Sequence, residues 1–365
     1  LEAFRFSGDD DDVIVVWEKR RVKGLNFVLR SDVPVCRTDI YGNSLILKPQ
    51  NGLVTVESAE LPFYLEAPRG KLQASPRLLS FRKELAALPS ERVKPTITLA
   101  NPLPQTLHYR LKLAGDTYSG ELKSGKSKNI QVDFMIPSNQ IAGESVIYAD
   151  LLLTNHKGKT IFKNSLSIPY VCCVAIPPRG TSQKIVLDSP AALRELVFVP
   201  TIPRWNGIND LSATIYFNWS KDGLHVKCSV IDQEHNGLQT GERIWQNDSI
   251  QFTINPMNGS KWSEYTFSLT KDGAVCWSHY PPDGYKPGEV EIDFSISRKD
   301  NVTEYNFTIP PERLAFKLEH GTTFRMALLI NDNDGGVRSR TMQFFEGIDG
   351  PKEPEKFGLV QLSDQ

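Results

Sequence analysis

Almost nowhere in the 365 residues does the apolar pattern keep a helical period for eleven residues or more. Apolar side chains instead recur at every second position over short runs, and Gly, Pro, Asn and Asp punctuate those runs. The stretch GERIWQNDSIQFTINP, 241–256, shows the pattern: Ile250, Phe252 and Ile254 point one way, Gln251 and Thr253 the other. A period of two sets one face of a strand against a core and the other toward water. Chains built of such runs bury their apolar faces by stacking sheet on sheet. The expected fold class is therefore all-β, with three consecutive β-sandwich domains. Two stretches depart from the pattern: SPAALREL (189–196) and PPERLAF (310–316) each read as a turn or two of helix.

Bulk composition narrows the function. The net charge is −1 and the pI about 6.7, and no basic run with interleaved aromatics stands out. That argues against a nucleic-acid partner. No apolar run approaches the roughly 20 residues of a membrane span. Residue 1 is Leu, and nothing after it resembles a signal peptide, so a processed or truncated product is expected. The five cysteines, Cys36, Cys172, Cys173, Cys228 and Cys276, have neither metal-site nor disulfide-framework spacing. Cys172 and Cys173 read as small core residues, and a Cys228–Cys276 bridge stays open.

Three blocks follow one another. Residues 1–70 hold seven short runs with strand character, with YGN (41–43) and QNG (50–52) as hairpin signals. The acidic run Asp9–Asp12 reads as a solvated turn. Residues 71–174 read as an immunoglobulin-type sandwich acting as a spacer, with His108 and His156 on its surface or in turns. Residues 175–183, AIPPRGTSQ, form a Pro/Gly/Ser-rich linker. Residues 184–365 form the longest block, which holds Trp205, Trp219, Trp245, Trp262 and Trp277 of the six tryptophans. Any ligand site is expected there. Trp245 sits beside Gln246, Asn247 and Asp248, just ahead of the alternating strand. An aromatic face next to hydrogen-bonding groups suits a sugar ring; the competing reading folds this indole over the end of the core.

Three ordered motifs in the last block carry a family resemblance. They are DLSATIYFNWSKDGLHVKCSVIDQEH (210–235), IWQNDSIQFTINP (244–256), and FRMALLINDNDGGVRSRTMQFFEG (324–347) followed by EPEKFGLVQL (353–362). Together they resemble the family 9 carbohydrate-binding modules. The resemblance implies a β-sandwich whose cleft holds a terminal sugar between two tryptophans, with structural Ca²⁺ nearby. Trp245 matches the first tryptophan. Gln251 matches a position where the family often has a hydroxyl-bonding glutamate. Gly350 and Pro351 stand where the second tryptophan is expected, and Leu328 or Leu329 takes a polar position of the strand. Asn247, Asp248 and Arg338 are candidates for the hydroxyl edge, and Trp277, Phe345 or Tyr280 for the missing aromatic. Asp232, Asp332 and Asp334 are the candidate metal ligands, since Ca²⁺ takes oxygen donors.

Residues 3–66 resemble the all-β domain that follows the (β/α)₈ barrel in some glycoside hydrolases, through VIVVWE, DIYGN and LPFYLEA. That resemblance implies a covalently linked catalytic domain upstream. No local motif of a catalytic site is present, and no alternation of strand and helix would present a carboxylate pair. The expectation is a non-catalytic tail of a secreted or cell-surface glycoside hydrolase. Its partner would be a polysaccharide or oligosaccharide, its metal structural Ca²⁺, and it would need no organic cofactor. The alternative is a structural or protein-interaction scaffold with a degenerate sugar cleft.

Overall fold

The computed structural model describes residues 2–17, 24–59, 61–75, 77–138, 142–196 and 204–364. It is all-β, as the period-two runs require. Among the described residues helix is limited to three short 3₁₀ segments, and no helix is long and apolar enough to cross a membrane. The chain divides into two compact units, Leu1–Cys172 and Cys173–Gln365.

The first unit has two hydrophobic cores. One lies under the sheet ordered Glu2–Ser7, Asp11–Trp17, Phe63–Pro68, Val35–Asp39 and Ser44–Leu47, and is filled by Val16, Val35, Val56, Phe63 and Leu65. The other is shared by the long strands Gly143–Thr154 and Thr160–Cys172 and by Thr96–Ala100, through Leu151, Phe162, Ile97 and Leu99. Asn26 and Ser167 clasp the two strand sets: Ser167 N donates to Asn26 Oδ1 at 3.0 Å and Asn26 N to Ser167 Oγ at 2.6 Å. The YGN hairpin closes on Asp39, whose Oδ1 accepts the backbone N–H of Tyr41 and of Asn43. His108 and His156 are exposed.

The acidic run departs from the solvated turn expected of it. Asp11 and Asp12 begin a strand, and Asp12 is fully buried. Its carboxylate takes Arg5 Nη2 at 2.5 Å, Ser7 Oγ at 2.6 Å and the Gly70 N–H at 2.6 Å. These bonds hold its pKa down at about 2, the Ser7 bond first and the Arg5 bond next.

The second unit is a sandwich. We label its main strands β1 (Gln183–Leu187), β2 (Leu211–Ser220), β3 (Gly223–Asp232), β4 (Ser249–Asn255), β5 (Ser263–Thr270), β6 (Gly273–Tyr280), β7 (Phe294–Lys299), β8 (Val302–Ile309), β9 (Thr323–Asp334), β10 (Val337–Phe344) and β11 (Gly358–Leu362). One sheet has the order β1-β2-β3-β8-β7. The other runs β11-β9-β4-β5-β6. One edge of β9 pairs with β4, while its other edge is shared, first by β11 and then by β10. Phe217, Phe252, Phe267, Phe307, Met326 and Leu328 fill the space between the sheets. Cys228 and Cys276 lie there too, as thiols rather than a bridge. Cys172 and Cys173 are buried thiols as well.

Neither stretch expected to be helical is an α-helix. Ser189–Ala192 is a turn, and Leu193–Glu195 is a strand that takes up the open edge of β10. The other stretch forms a single 3₁₀ turn, Pro311–Arg313, closed by Ala315 at φ +56°. The two adjacent prolines open a helical turn, and it ends where Ala315 leaves the right-handed helical region.

Candidate functional site

Strand β4 places its two faces as its alternation requires. Ile250, Phe252 and Ile254 enter the main core, and Ser249, Gln251 and Thr253 turn away from it. The second face is nevertheless buried as well. A small cluster of Ala327, Leu329, Ile348 and Phe357, with Trp262 and Phe345 against it, covers that side of the sheet. Polar side chains under such a cover must bond to one another. Asn331 Nδ2 donates to Ser249 Oγ and to Gln251 Oε1, at 2.9 and 3.2 Å. Gln251 Nε2 donates to Glu264 Oε1 at 2.6 Å.

This polar layer floors an open cavity of about 350 Å³. Trp245, on the 3₁₀ turn Gly241–Gln246, is one wall. Glu264, His279 and Tyr280 come from β5 and β6, Arg338 from β10, and Ile348, Asp349, Gly350 and Lys352 from the loop before β11. Arg338 Cζ stands 5.4 Å from the Trp245 ring centroid. Arg338 Nε donates to Asn331 Oδ1 at 2.5 Å, and its Nη2 to Asp349 Oδ1 at 3.2 Å. Lys352 Nζ lies 3.0 Å from Glu264 Oε2. Hydrogen bonds thus run unbroken across the floor from Asp349 through Arg338, Asn331, Gln251 and Glu264 to Lys352. Burial lowers the pKa of His279, so its ring is neutral near pH 7.

Of the sequence candidates, Trp245, Gln251 and Arg338 line this cavity together. Asn247 and Asp248 serve the loop beneath it. Asn247 is fully buried; its Oδ1 accepts Gln239 N and its Nδ2 donates to Gln239 O. Asp248 accepts the backbone N–H groups of Asn236 and Asn333, tying the Trp245 loop to its neighbours. Trp277 and Phe345 do not line the cavity. The Trp277 ring packs near Gly241, and Phe345, at φ +65°, packs on Phe344 and directly over Gly358. Tyr280 does line it, braced by Trp262 at 4.3 Å between centroids. Leu328 is in the main core and Leu329 in the covering cluster. Glu264 and Lys352 lie on none of the three family motifs. Their only sequence signal was an acid at a position of β5 directly across from Thr253, on the face that points away from the main core.

Asp232, Asp332 and Asp334 meet at the end of β3 and β9. One carboxylate oxygen from each lies within 4.8 Å of the others, and all three residues are buried. Arg340, 1 % exposed, reaches into the same cluster. Its Nη1 is 2.8 Å from Asp210 Oδ2, its Nη2 3.1 Å from Asp334 Oδ2 and its Nε 3.1 Å from Asp332 Oδ2. Neither Asp332 oxygen accepts a well-aligned hydrogen bond. Burial, and then the neighbouring carboxylates, push the Asp332 pKa up to about 9, and burial raises that of Asp232 and Asp248 too. Acids gathered in excess of one guanidinium, with carboxylate oxygens at this spacing and Asp332 Oδ1 accepting no hydrogen bond, fit a hard divalent cation such as Ca²⁺, whose ligands sit about 2.3–2.6 Å from the metal.

The fold is thus a two-sheet sandwich with an aromatic-walled, polar-floored cavity on the outer face of one sheet. Residues 195–365 match the model of the family described as carbohydrate family 9 binding domain-like. The solved structures similar to the chain include two of a family 9 carbohydrate-binding module from Caldicellulosiruptor kristjanssonii. The one in complex with cellotriose is 12% identical, covers 53% of this chain and 94% of its own, and has a TM-score of 0.40. The one in complex with glucose is 15% identical, covers 53% and 96%, and has a TM-score of 0.35. No curated protein matches the chain.

Proposed function

We propose that the second unit binds a saccharide in the cavity walled by Trp245, and that it does so without catalysing a reaction on it. One observation carries this reading: an indole wall and a floor of bonded polar side chains meet in one open cavity of about 350 Å³. Sugar rings have apolar faces and a hydroxyl edge, so they need both surfaces at once. The scaffold alternative calls for a filled cleft, and the open volume favours binding. The family match over residues 195–365 supports the same ligand class.

Two finer statements belong to this proposal. The cluster of Asp232, Asp332 and Asp334 holds Ca²⁺ in a structural role, close to the Trp245 loop through Asp248. The chain is the non-catalytic tail of a secreted or cell-surface glycoside hydrolase. The resemblance of residues 3–66 to the domain that trails the hydrolase barrel supports that placement.

The test is retention of the full chain on affinity gels of soluble polysaccharides, with calorimetry against cellotriose and glucose. Trp245→Ala is run beside the wild type, in Ca²⁺ and in chelator. Binding by the wild type and its loss in a variant that keeps its melting temperature supports the proposal. Equal behaviour of the two proteins overturns it.

A further inference from the structure

We infer that Glu264, paired with Lys352, is the specificity-determining group of this cavity, and that it selects an uncharged sugar presenting two adjacent hydroxyls. The inference rests on the saccharide reading above and adds to it the group that does the reading.

The matched position, Gln251, is committed elsewhere. Its Oε1 accepts from Asn331 and its Nε2 donates to Glu264, so both ends of the amide belong to the floor. Glu264 is in the opposite situation. It is 1 % exposed and lines the cavity. Its Oε1 accepts from Gln251 Nε2 and from Lys352 Nζ, at 2.6 and 3.2 Å. Its Oε2 lies 3.0 Å from Lys352 Nζ yet accepts no aligned hydrogen bond. His279 Nε2, in the same lining, is also buried with no hydrogen-bond partner. A buried carboxylate oxygen keeps lone pairs that demand donors, and leaving them unmet is costly.

Two neighbouring hydroxyls supply what is missing. One donates to Glu264 Oε2, while the ammonium of Lys352 donates to the oxygen of the next. The fixed floor presets the carboxylate, so little order is lost on binding.

The charges indicate the ligand class. Glu264 is matched by Lys352, Asp349 by Arg338 and, from outside the lining, by Arg194, and the His279 ring is neutral. No cation in the lining is left over for an anionic sugar. An acidic sugar would have to compete with Glu264 and Asp349 for cations already engaged.

The experiment is calorimetry of the full chain with cellotriose, xylotriose, mannotriose and glucuronate. The wild type is compared with Glu264→Gln, Lys352→Met, the double variant and Trp245→Ala, each first checked by melting temperature. Glu264→Gln removes the charge and keeps the shape. The expected result is binding of a neutral probe that weakens about tenfold or more in Glu264→Gln and in Lys352→Met, as for loss of a hydrogen bond to a charged group. If either single variant melts early, the double variant, which removes both charges together, must show the same loss. Unchanged affinity in Glu264→Gln alongside loss in Trp245→Ala leaves the sugar cavity standing and overturns the role of Glu264. Tighter binding of glucuronate than of every neutral probe overturns the neutral class. Absence of binding by the wild type to all four probes overturns both this inference and the saccharide reading.

Discussion

Gln251 and Glu264 sit on adjacent strands, and the amide of the first donates to the carboxylate of the second at 2.6 Å. This bond moves the carboxyl acceptor of the floor one strand away from the position that the sequence motif marks. It also makes the floor a single network, because Asn331 holds Gln251 and Arg338 holds Asn331. A change at any member is therefore expected to reach the rest.

Arg340→Met is expected to be the most damaging single change in the second unit. The guanidinium is 1 % exposed and lies against Asp210, Asp332 and Asp334. Removing one partner of a buried ionic cluster costs about 3–5 kcal/mol. For a unit of this size that lowers the melting temperature by roughly 10 °C. Tryptophan fluorescence measures it cleanly, since five of the six tryptophans lie in this unit. Added Ca²⁺ is expected to recover part of the loss.

The same cluster sets a pH dependence. Burial raises the pKa of Asp232 and Asp248, and that of Asp332 to about 9. The folded unit then holds protons that the unfolded chain has lost above about pH 4. Stability from these groups is present at low pH and falls as pH rises from about 4 toward 9. In chelator the melting temperature of the second unit should decline across that range. With Ca²⁺ bound the carboxylates are held ionised, and the decline should flatten. A melting temperature independent of pH in chelator would count against the cluster as described.

Asp12 is expected to act with the opposite sign in the first unit. Its folded pKa is held at about 2, below the unfolded value. Its contribution is present above about pH 4 and is lost as pH falls toward 2. Circular dichroism melts from pH 7 to 2 should show an acid limb in the wild type that is shallower in Asp12→Asn.

Gly358→Ala is expected to disturb the cavity from behind. A Cβ at residue 358 would stand 2.1 Å from the Phe345 ring, far inside contact distance. Overpacking of this kind costs about 1–3 kcal/mol. Because Phe345 and Phe357 bracket the loop that carries Lys352, the variant should lose affinity for a sugar ligand as well as stability. Calorimetry and a thermal melt on the same sample check both.

Much of the fold was legible in the sequence. Alternation at Ile250, Phe252 and Ile254 specified which face of β4 meets the main core, because a strand has only two faces. The YGN turn was legible through Asp39, whose carboxylate can close its own hairpin. The two short helices were misread for the same kind of local reason. Pro310 and Pro311 favour a helical first turn, and only the chain beyond them shows that it does not continue. The Leu193–Glu195 strand exists because β10 offers it an open edge, which no local pattern records.

The sequence by itself determined the all-β class, the alternating strands such as β4, and the indole of Trp245 beside a polar strand. Those follow from side-chain period and turn chemistry, which act over a few residues. The tertiary structure alone decided that Asp12 is buried, that Asn247 and Asp248 hold a loop, and that Glu264 and Lys352 meet in the cavity. Residues 264 and 352 are brought together only by the pairing of β5 with β4 and the return of the chain to β11. A carboxylate becomes a recognition group only when burial removes its water and leaves one oxygen short of an aligned hydrogen bond, and burial is a property of the assembled sheets.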